Sequence, residues 1–279
     1  MQLNGSQIFV EVLCEQGVDT IFGYPGGAVL NLYDELYKNA DRITHVLTAH
    51  EQGASHAADG YARATGRTGV VLATSGPGAT NLVTGIATAF ADSIPMVCLT
   101  GQVDSNQVGG DVFQEADISG AVESFVKYSY IVRDAKELPC VVREAFHIAG
   151  TGRPGPVLID LPCDIQLQEI PKFEYPEKAS MRTYKPTVEG HAVQIRKVTS
   201  ELLKAKRPIL CVGGGVHLSY AQDPAAKSNG PPHGHRPSEL RPLHSSHGSR
   251  ISVRCCRPFR KTSDLPSGKR RDPSWCIRP

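Results

Sequence analysis

A carboxylate flanked by an imidazole and an amide, His50-Glu51-Gln52-Gly53, stands where an apolar run ends and an Ala-rich run down to Gly66 begins. The first turn of a helix ordinarily holds a carboxylate as the anion, because the helix dipole is positive there. Where apolar strands end and water is excluded, the neutral acid is favoured instead. A Glu in that place can keep a proton or relay it. Position alone favours the plainer reading, a Glu that merely starts a helix. The turns elsewhere in the chain reverse that preference. Tyr24-Pro25-Gly26-Gly27, Ser75-Gly76-Pro77-Gly78 and Gly101-Gln102 each follow a short apolar run, and each alone would be an ordinary strand-to-helix turn. Gly213-Gly214-Gly215 repeats the arrangement later, where a nucleotide-binding turn and a plain tight turn are equally good readings.

Such turns need elements to carry them. Ser6 can cap a helix with Ile8, Phe9, Val12 and Leu13 at helical spacing, ending at Gly17. Runs at 20–22, 43–47, 69–74, 95–101, 124–132 and 157–161 read as strands, and 28–37, 51–66, 81–90 and 135–149 as helices, with 103–117 a polar loop. Strands and helices alternate about six times. That pattern predicts an α/β fold, an open parallel sheet with helices on both faces. Ligands of such sheets sit at the carboxyl ends of the strands, so all four turns, the one at Glu51 included, are expected along one edge. The domain reading is 1–168 for this sheet, 169–189 for a Pro- and charge-rich linker, and 190–222 for the start of a second α/β domain. Residues 223–279 form a tail of different character.

The chain has 279 residues and a net charge of +2, which hides two unlike parts. Residues 1–222 carry 18 Lys and Arg against 24 Asp and Glu, whereas 223–279 carry 12 against 4. The tail has nine Pro, nine Arg and nine Ser but only six Ile, Leu or Val, too little apolar surface to offset the entropy of ordering. It reads as disordered. A nucleic-acid arm is disfavoured, because no aromatics are interleaved for base stacking. Cys14, Cys98, Cys140, Cys163 and Cys211 are scattered in apolar runs, as free thiols of a reducing cytosol would be. Cys255, Cys256 and Cys276 show no metal-ligand spacing, so no metal site is predicted within the chain. No apolar run approaches the roughly 20 residues of a membrane helix, and no targeting segment is read at the N-terminus. A cytoplasmic protein with neither a nucleic-acid nor a membrane partner is expected.

Eight motifs occur in order: Phe22 to Ala28, His50-Glu51-Gln52-Gly53, Gly60 to Gly66, Thr74 to Asn81, Asp92-Ser93-Ile94-Pro95, Gly101-Gln102-Val103, Phe113-Gln114-Glu115 and Gly152 to Val157. Together they resemble the large catalytic subunits of acetolactate synthase (acetohydroxyacid synthase), thiamine-diphosphate enzymes, from the N-terminus to about Gly215. The resemblance implies a pyrimidine-binding domain at 1–168 and the beginning of a flavin-binding domain from 190. A third domain, which would bind the diphosphate and Mg²⁺, has no counterpart here. The implied activity is decarboxylation of pyruvate and ligation to a second 2-oxoacid, pyruvate or 2-oxobutyrate, in branched-chain amino acid biosynthesis. Thiamine diphosphate, FAD and Mg²⁺ are the implied cofactors. A homodimer or tetramer with a small regulatory subunit is the implied assembly.

Within that resemblance Glu51 is the carboxyl bonded to the pyrimidine N1′, which favours the imino tautomer whose 4′-nitrogen accepts the cofactor's C2 proton. Tyr24, Pro25, Gly26 and Gly27 match the turn that lies against the ring, where glycine permits close approach. Gln114 matches an amide near the reacting carbons, and Phe113 the substrate approach. Gly76 and Asn81 support the same edge. Arg153 matches an arginine on the flavin phosphate, and Gly213, Gly214 and Gly215 would lie near that flavin. The chain departs from the pattern at Cys163, where Lys is usual, at Ala49, where Arg is frequent, and at Tyr128, where His is usual. Other thiamine-diphosphate enzymes, of the pyruvate oxidase or sulfoacetaldehyde acetyltransferase type, are the alternative. Glyoxylate carboligases are disfavoured, since they lack the activating Glu. Given the resemblance, the tail reads as out-of-frame translation or other non-homologous sequence beyond residue 222, and the chain alone is expected to be inactive.

Overall fold

The computed structural model describes residues 2–218, apart from Ser180 and Val188, together with residues 253–255. The described residues fall into two compact units, one up to His191 and one from Ala192.

In the first unit the apolar runs that lack polar alternation become strands buried on both faces. These are β4 (Gly69–Ala73), β5 (Met96–Gln102) and β7 (Pro156–Pro162), and every residue of each is buried. They are joined by β2 (Thr20–Gly23), β3 (Thr44–Leu47) and β6 (Tyr128–Ile131) in a six-stranded sheet of order β3-β2-β4-β5-β7-β6. All five pairings are parallel. Parallel strands need crossovers, and their right-handedness decides which face each helix takes. Steps toward the β6 side lay α3 (Glu51–Thr65), α5 (Val83–Asp92) and α6 (Ile118–Val122) on one face. Steps in the other direction lay α2 (Leu30–Lys38) and α7 (Leu138–Gly150) on the opposite face, beside α1 (Gly5–Glu15). The α/β fold with helices on both faces is therefore as the alternation predicts.

Two cores result, one on each side of the sheet. The α1/α2/α7 side holds large side chains, among them Ile8, Phe9, Leu13, Leu32, Leu36 and Ile148 against Ile21, Leu72 and Ile159. The α3/α5/α6 side sets Ala54 and Ala58 of α3 and Ala89 of α5 against Val71, Ala73 and Cys98, with Leu82, Ile86, Met96 and Ile118 filling the rest. Successive residues of β4, Val70 and Val71, then Leu72 and Ala73, alternate between the two cores as the pleat requires.

Several local expectations are corrected. Asn4, not Ser6, caps α1: its Oδ1 accepts from the Gln7 amide at 2.9 Å while the Gln7 side chain accepts from the Asn4 amide at 3.1 Å. This capping box satisfies two orphan donors at once, and the Ser6 hydroxyl is left to donate to the Gln166 carbonyl. Leu3–Asn4 (β1) and Glu169–Ile170 (β8) form an antiparallel pair that periodicity cannot reveal in two residues. The strand predicted over 124–132 is confined to Tyr128–Ile131, because Glu123–Phe125 coils as a 3₁₀ turn. Short helices α4 (Pro77–Thr80) and α8 (Cys163–Leu167) fill what read as turn and connection. The segment after β8 lies against the first core through Phe173, Tyr175, Met181 and Tyr184.

In the second unit α9 (Ala192–Lys204) precedes β9 (Leu210–Val212) and α10 (Gly214–Leu218). The basic tail read as lacking any strand period contributes one short strand, β10 (Val253–Cys255), parallel to β9. A strand's backbone groups require a partner, and β9 supplies it. The remainder of that tail lies outside the described residues.

Candidate functional site

The sheet order reverses between β2 and β4, since the chain leaves β2 toward β3 but leaves β4 toward β5. In open α/β sheets the crevice beyond the carboxyl ends at such a switch point receives the ligand. The turn 24–27 follows β2 and the turn 75–78 follows β4, so these two turns flank that crevice.

Glu51 enters it from the first turn of α3, whose N-cap is His50, with Nδ1 accepting from the Gln52 amide at 3.1 Å. Only 8% of Glu51 is exposed. Its Oε2 accepts from Asn81 Nδ2 at 2.9 Å. Its Oε1 has no hydrogen-bond partner among the described residues and would stand 3.2 Å from a Cβ placed on Gly78. One carboxyl oxygen is thus fixed by an amide donor, and the other is presented to the crevice.

Thr74, quoted within a motif but not singled out from sequence, proves to be the post for both turns. Its Oγ1 accepts from the Ala28 amide at 3.1 Å. A Cβ on Gly26 would meet Thr74 Cβ at 2.5 Å, and one on Gly78 would meet its methyl at 2.6 Å. Glycine is needed at both positions for this close approach. Gly27 faces open space, with Gln114 Oε1 the one atom within 4 Å of where its Cβ would stand. Tyr24 is 40% exposed beside it. Gln166 holds the other side of the turn, Nε2 donating to the Ala28 carbonyl at 2.7 Å, and Cys163 Sγ reaches the same oxygen at 3.5 Å. Burial pushes the Cys163 thiol up.

The loop after β5 brings Gln114 over the second turn. Gly76 has φ 57° and Gln114 has φ 61°, both left-handed. A Cβ on Gly76 would lie 2.7 Å from the Gln114 carbonyl oxygen. Gly76→Ala is therefore expected to cost about 1–3 kcal/mol through strain and collision. Urea denaturation would measure the loss, and faster amide exchange around Gln114 would show the loop displaced. Phe113 is 88% exposed.

Tyr33 and His45 were missed, for neither lies in a recognisable motif. Their rings meet edge-on at 4.8 Å, and both stand against Gly23. The Tyr33 hydroxyl and His45 Nε2 are buried without a hydrogen-bond partner among the described residues. Burial first, and the Glu51 charge second, push the Tyr33 phenol well above its ordinary value.

Other motif residues are not brought to this edge. Arg63 bridges Asp59 on its own helix (2.7 Å) and Asp92 at the end of α5 (2.6 Å), so two of the eight motifs join as structure. Arg153 lies in the turn before β7, at the opposite edge from Glu51. Its Nε donates to Ser93 Oγ at 2.7 Å and its Nη2 to the Phe90 and Ala91 carbonyls at the end of α5. Gly213, Gly214 and Gly215 belong to the second unit, at the start of α10. Among the described residues no three His, Cys, Asp or Glu are grouped to hold a metal ion. No helix there is long and apolar enough to cross a membrane.

Residues 3–121 match the family described as thiamine pyrophosphate enzyme, N-terminal TPP binding domain. The chain is 52% identical over 216 residues to the acetolactate synthase large subunit of Haemophilus influenzae, covering 77% of this chain and 38% of that protein. It is 53% identical over 216 residues to the acetolactate synthase isozyme 3 large subunit of Escherichia coli (77% and 37%). Against the probable acetolactate synthase large subunit of Methanocaldococcus jannaschii it is 49% identical over 223 residues (79% and 37%). The chain thus spans less than two fifths of the length of these relatives.

Proposed function

Because the chain carries the N-terminal TPP binding domain of the thiamine pyrophosphate enzymes, we propose that its Glu51 edge holds the aminopyrimidine ring of thiamine diphosphate in an acetolactate synthase catalytic subunit. The observation that carries this reading is the unpaired Glu51 Oε1, facing a crevice whose floor is glycine backbone resting on Thr74. That geometry fits a flat heteroaromatic ring with a nitrogen in need of a proton donor.

When bound, thiamine diphosphate supplies the carbon nucleophile and the electron sink for decarboxylating a 2-oxoacid. Glu51 Oε1 is the atom through which a proton would pass to the ring nitrogen, with the Asn81 bond to Oε2 preventing the carboxyl from turning away. Tyr24 and the Pro25–Gly27 backbone form one wall against the ring, and Gly76 keeps the second turn close. Gln114 offers an amide beside Gly27, and Phe113 bounds the approach. The substrates are pyruvate and a second pyruvate or 2-oxobutyrate, and the pathway is branched-chain amino acid biosynthesis. In the whole protein, catalytic subunits pair as dimers or tetramers and take a small regulatory subunit, in the cytoplasm. Three relatives named as acetolactate synthase large subunits, at about half identity, support this assignment over other thiamine-diphosphate enzymes.

Magnesium would be held outside the described residues, where the relatives extend beyond the matched region. FAD is proposed for the whole protein, although the Arg153 Nε and Nη2 donors already cap α5.

The test is a chimera in which the matched residues of this chain replace those of the E. coli isozyme 3 large subunit. With thiamine diphosphate, Mg²⁺, FAD and pyruvate it is expected to form acetolactate. A folded chimera that binds the cofactor yet yields no product would overturn the assignment.

A further inference from the structure

Two carboxylates four residues apart, Asp160 near the end of β7 and Asp164 at the start of α8, both serve the loop that joins β5 to α6. Asp160 is 2% exposed. It accepts from Thr100 Oγ1 at 2.6 Å and from Gln102 Nε2 at 2.9 Å. The same Gln102 Nε2 also donates to the Ala116 carbonyl at 3.2 Å, and Gln102 Oε1 accepts from the Val103 amide at 3.0 Å. One side-chain amide therefore grips the first and the next-to-last residue of the 103–117 loop. Asp164 adds a grip two residues on, accepting from the Ser105 amide at 2.9 Å and from the Ser105 hydroxyl. Glu115 stiffens the interior of the loop, accepting from the Gly109 and Val112 amides.

A terminal amide is nearly symmetric, and turned over it would point a donor at Val103 N–H and an acceptor at the Ala116 carbonyl. Ionised, Asp160 removes that choice, because a carboxylate accepts and cannot donate. We propose that Asp160 is a positioning residue: by fixing the orientation of the Gln102 amide it clasps both ends of the 103–117 loop and so sets where Gln114 stands over Gly76 and beside Gly27. The clasp is a property of the loop itself. Its consequence for a bound ring rests on the reading given above.

The surroundings of Asp160 make the clasp responsive to protons. From β5 it meets Thr100 and Gln102, and from the end of the loop it feels the Asp117 charge. It makes no ion pair among the described residues. Burial first, with that Asp117 charge added, pushes it up to about 7 against the Thr100 and Gln102 bonds. Ionised, it accepts charge-assisted bonds, which are roughly twice as strong as neutral ones.

Amide exchange on the intact chain tests this, read as protection factors over 104–116 with the β2 and β4 amides as reference. Asp160→Ala is expected to lower loop protection about ten- to hundredfold, the loss of a bond to a charged acceptor, with the reference strands falling much less. Gln102→Met, which leaves the acid in place, should loosen the same residues. Asp160→Asn keeps an acceptor for Gln102 and should match wild type at pH 6. A change in wild-type loop protection between pH 6 and 8 that is absent from Asp160→Asn would show the clasp following the Asp160 proton. Equal loss of protection in loop and strands for both Asp160→Ala and Gln102→Met would overturn the clasp, as would unchanged loop protection in either. Thiamine diphosphate titrated into the same variants separates the two readings. A loosened loop with unaltered cofactor affinity supports the clasp and removes Gln114 from the ring.

Discussion

In the chimera completed with the E. coli C-terminal portion, Glu51→Gln is expected to fold and bind cofactor yet slow loss of the thiamine C2 proton by about 10²–10⁴-fold. The geometry says how the amide would sit. Asn81 Nδ2 must keep an acceptor, so the oxygen of the substituted amide turns toward Asn81 and its NH₂ toward the crevice. That NH₂ can donate a hydrogen bond to a ring nitrogen but cannot supply an acidic proton. Binding is therefore largely preserved while proton transfer fails. Deuterium incorporation at C2, followed by acid quench and proton NMR, measures the step without requiring turnover. An unaltered exchange rate would remove Glu51 from its role. Asn81→Ala should act in the same direction but less, because the acid remains and only its orientation is freed.

Asp160→Asn is expected to raise stability above pH 7 while leaving it nearly unchanged near pH 4. The folded protein keeps the Asp160 proton up to about pH 7, whereas an unfolded chain releases it near the ordinary value of 3.8. Between those values folding takes up a proton. The contribution of Asp160 is thus fully present below 3.8, is lost as pH rises, and levels off above about 7. Over the whole window the loss amounts to about 4 kcal/mol, at about 1.4 kcal/mol per unit. Asparagine carries no such proton and can still accept from Gln102 while donating to the Thr100 hydroxyl. The difference between variant and wild type in urea midpoint should widen steadily from pH 4 to 7. Parallel curves would show that Asp160 titrates at an ordinary value.

Much of this was legible in the chain and some could not have been. The strands β4, β5 and β7 announced themselves because a run such as Gly69–Ala73, apolar at every position, suits only a sheet covered on both faces. The convergence of the turns after β2 and β4 with Glu51 followed from parallel strands alone. Asn81 was placed near that edge, but its bond to Glu51 Oε2 depends on the short helix α4, too brief to have a period. Thr74 escaped notice because a threonine ending an apolar strand looks like any other. Gln102 was read within a turn, but its bond to Asp160 escaped because the two are 58 residues apart and meet only through strand pairing. The α1 cap was misassigned to Ser6, since both Asn4 and Ser6 are good cap residues and only the side chain of Gln7 decides between them.

The unequal cores have a consequence for how far such a sequence can drift. On the α3/α5 side, Ala54, Ala58 and Ala89 have little volume to give up, and Gly85 lies so close to Ser55 that even a methyl has no room. Enlargement there forces helix and sheet apart, at about 1–3 kcal/mol for each substitution. On the α1/α7 side, Ile8, Phe9 and Leu13 tolerate reshaping better than truncation, which costs about 2–5 kcal/mol. Random substitution would therefore leave its own scar around α3, where growth is purged, while shrinkage is purged at Ile8, Phe9 and Leu13 and equally at Leu82, Ile86 and Ile118. The helix that carries Glu51 packs through Ala54 and Ala58, so the carboxyl's distance from the sheet is guarded by small residues whose own side chains carry no chemistry.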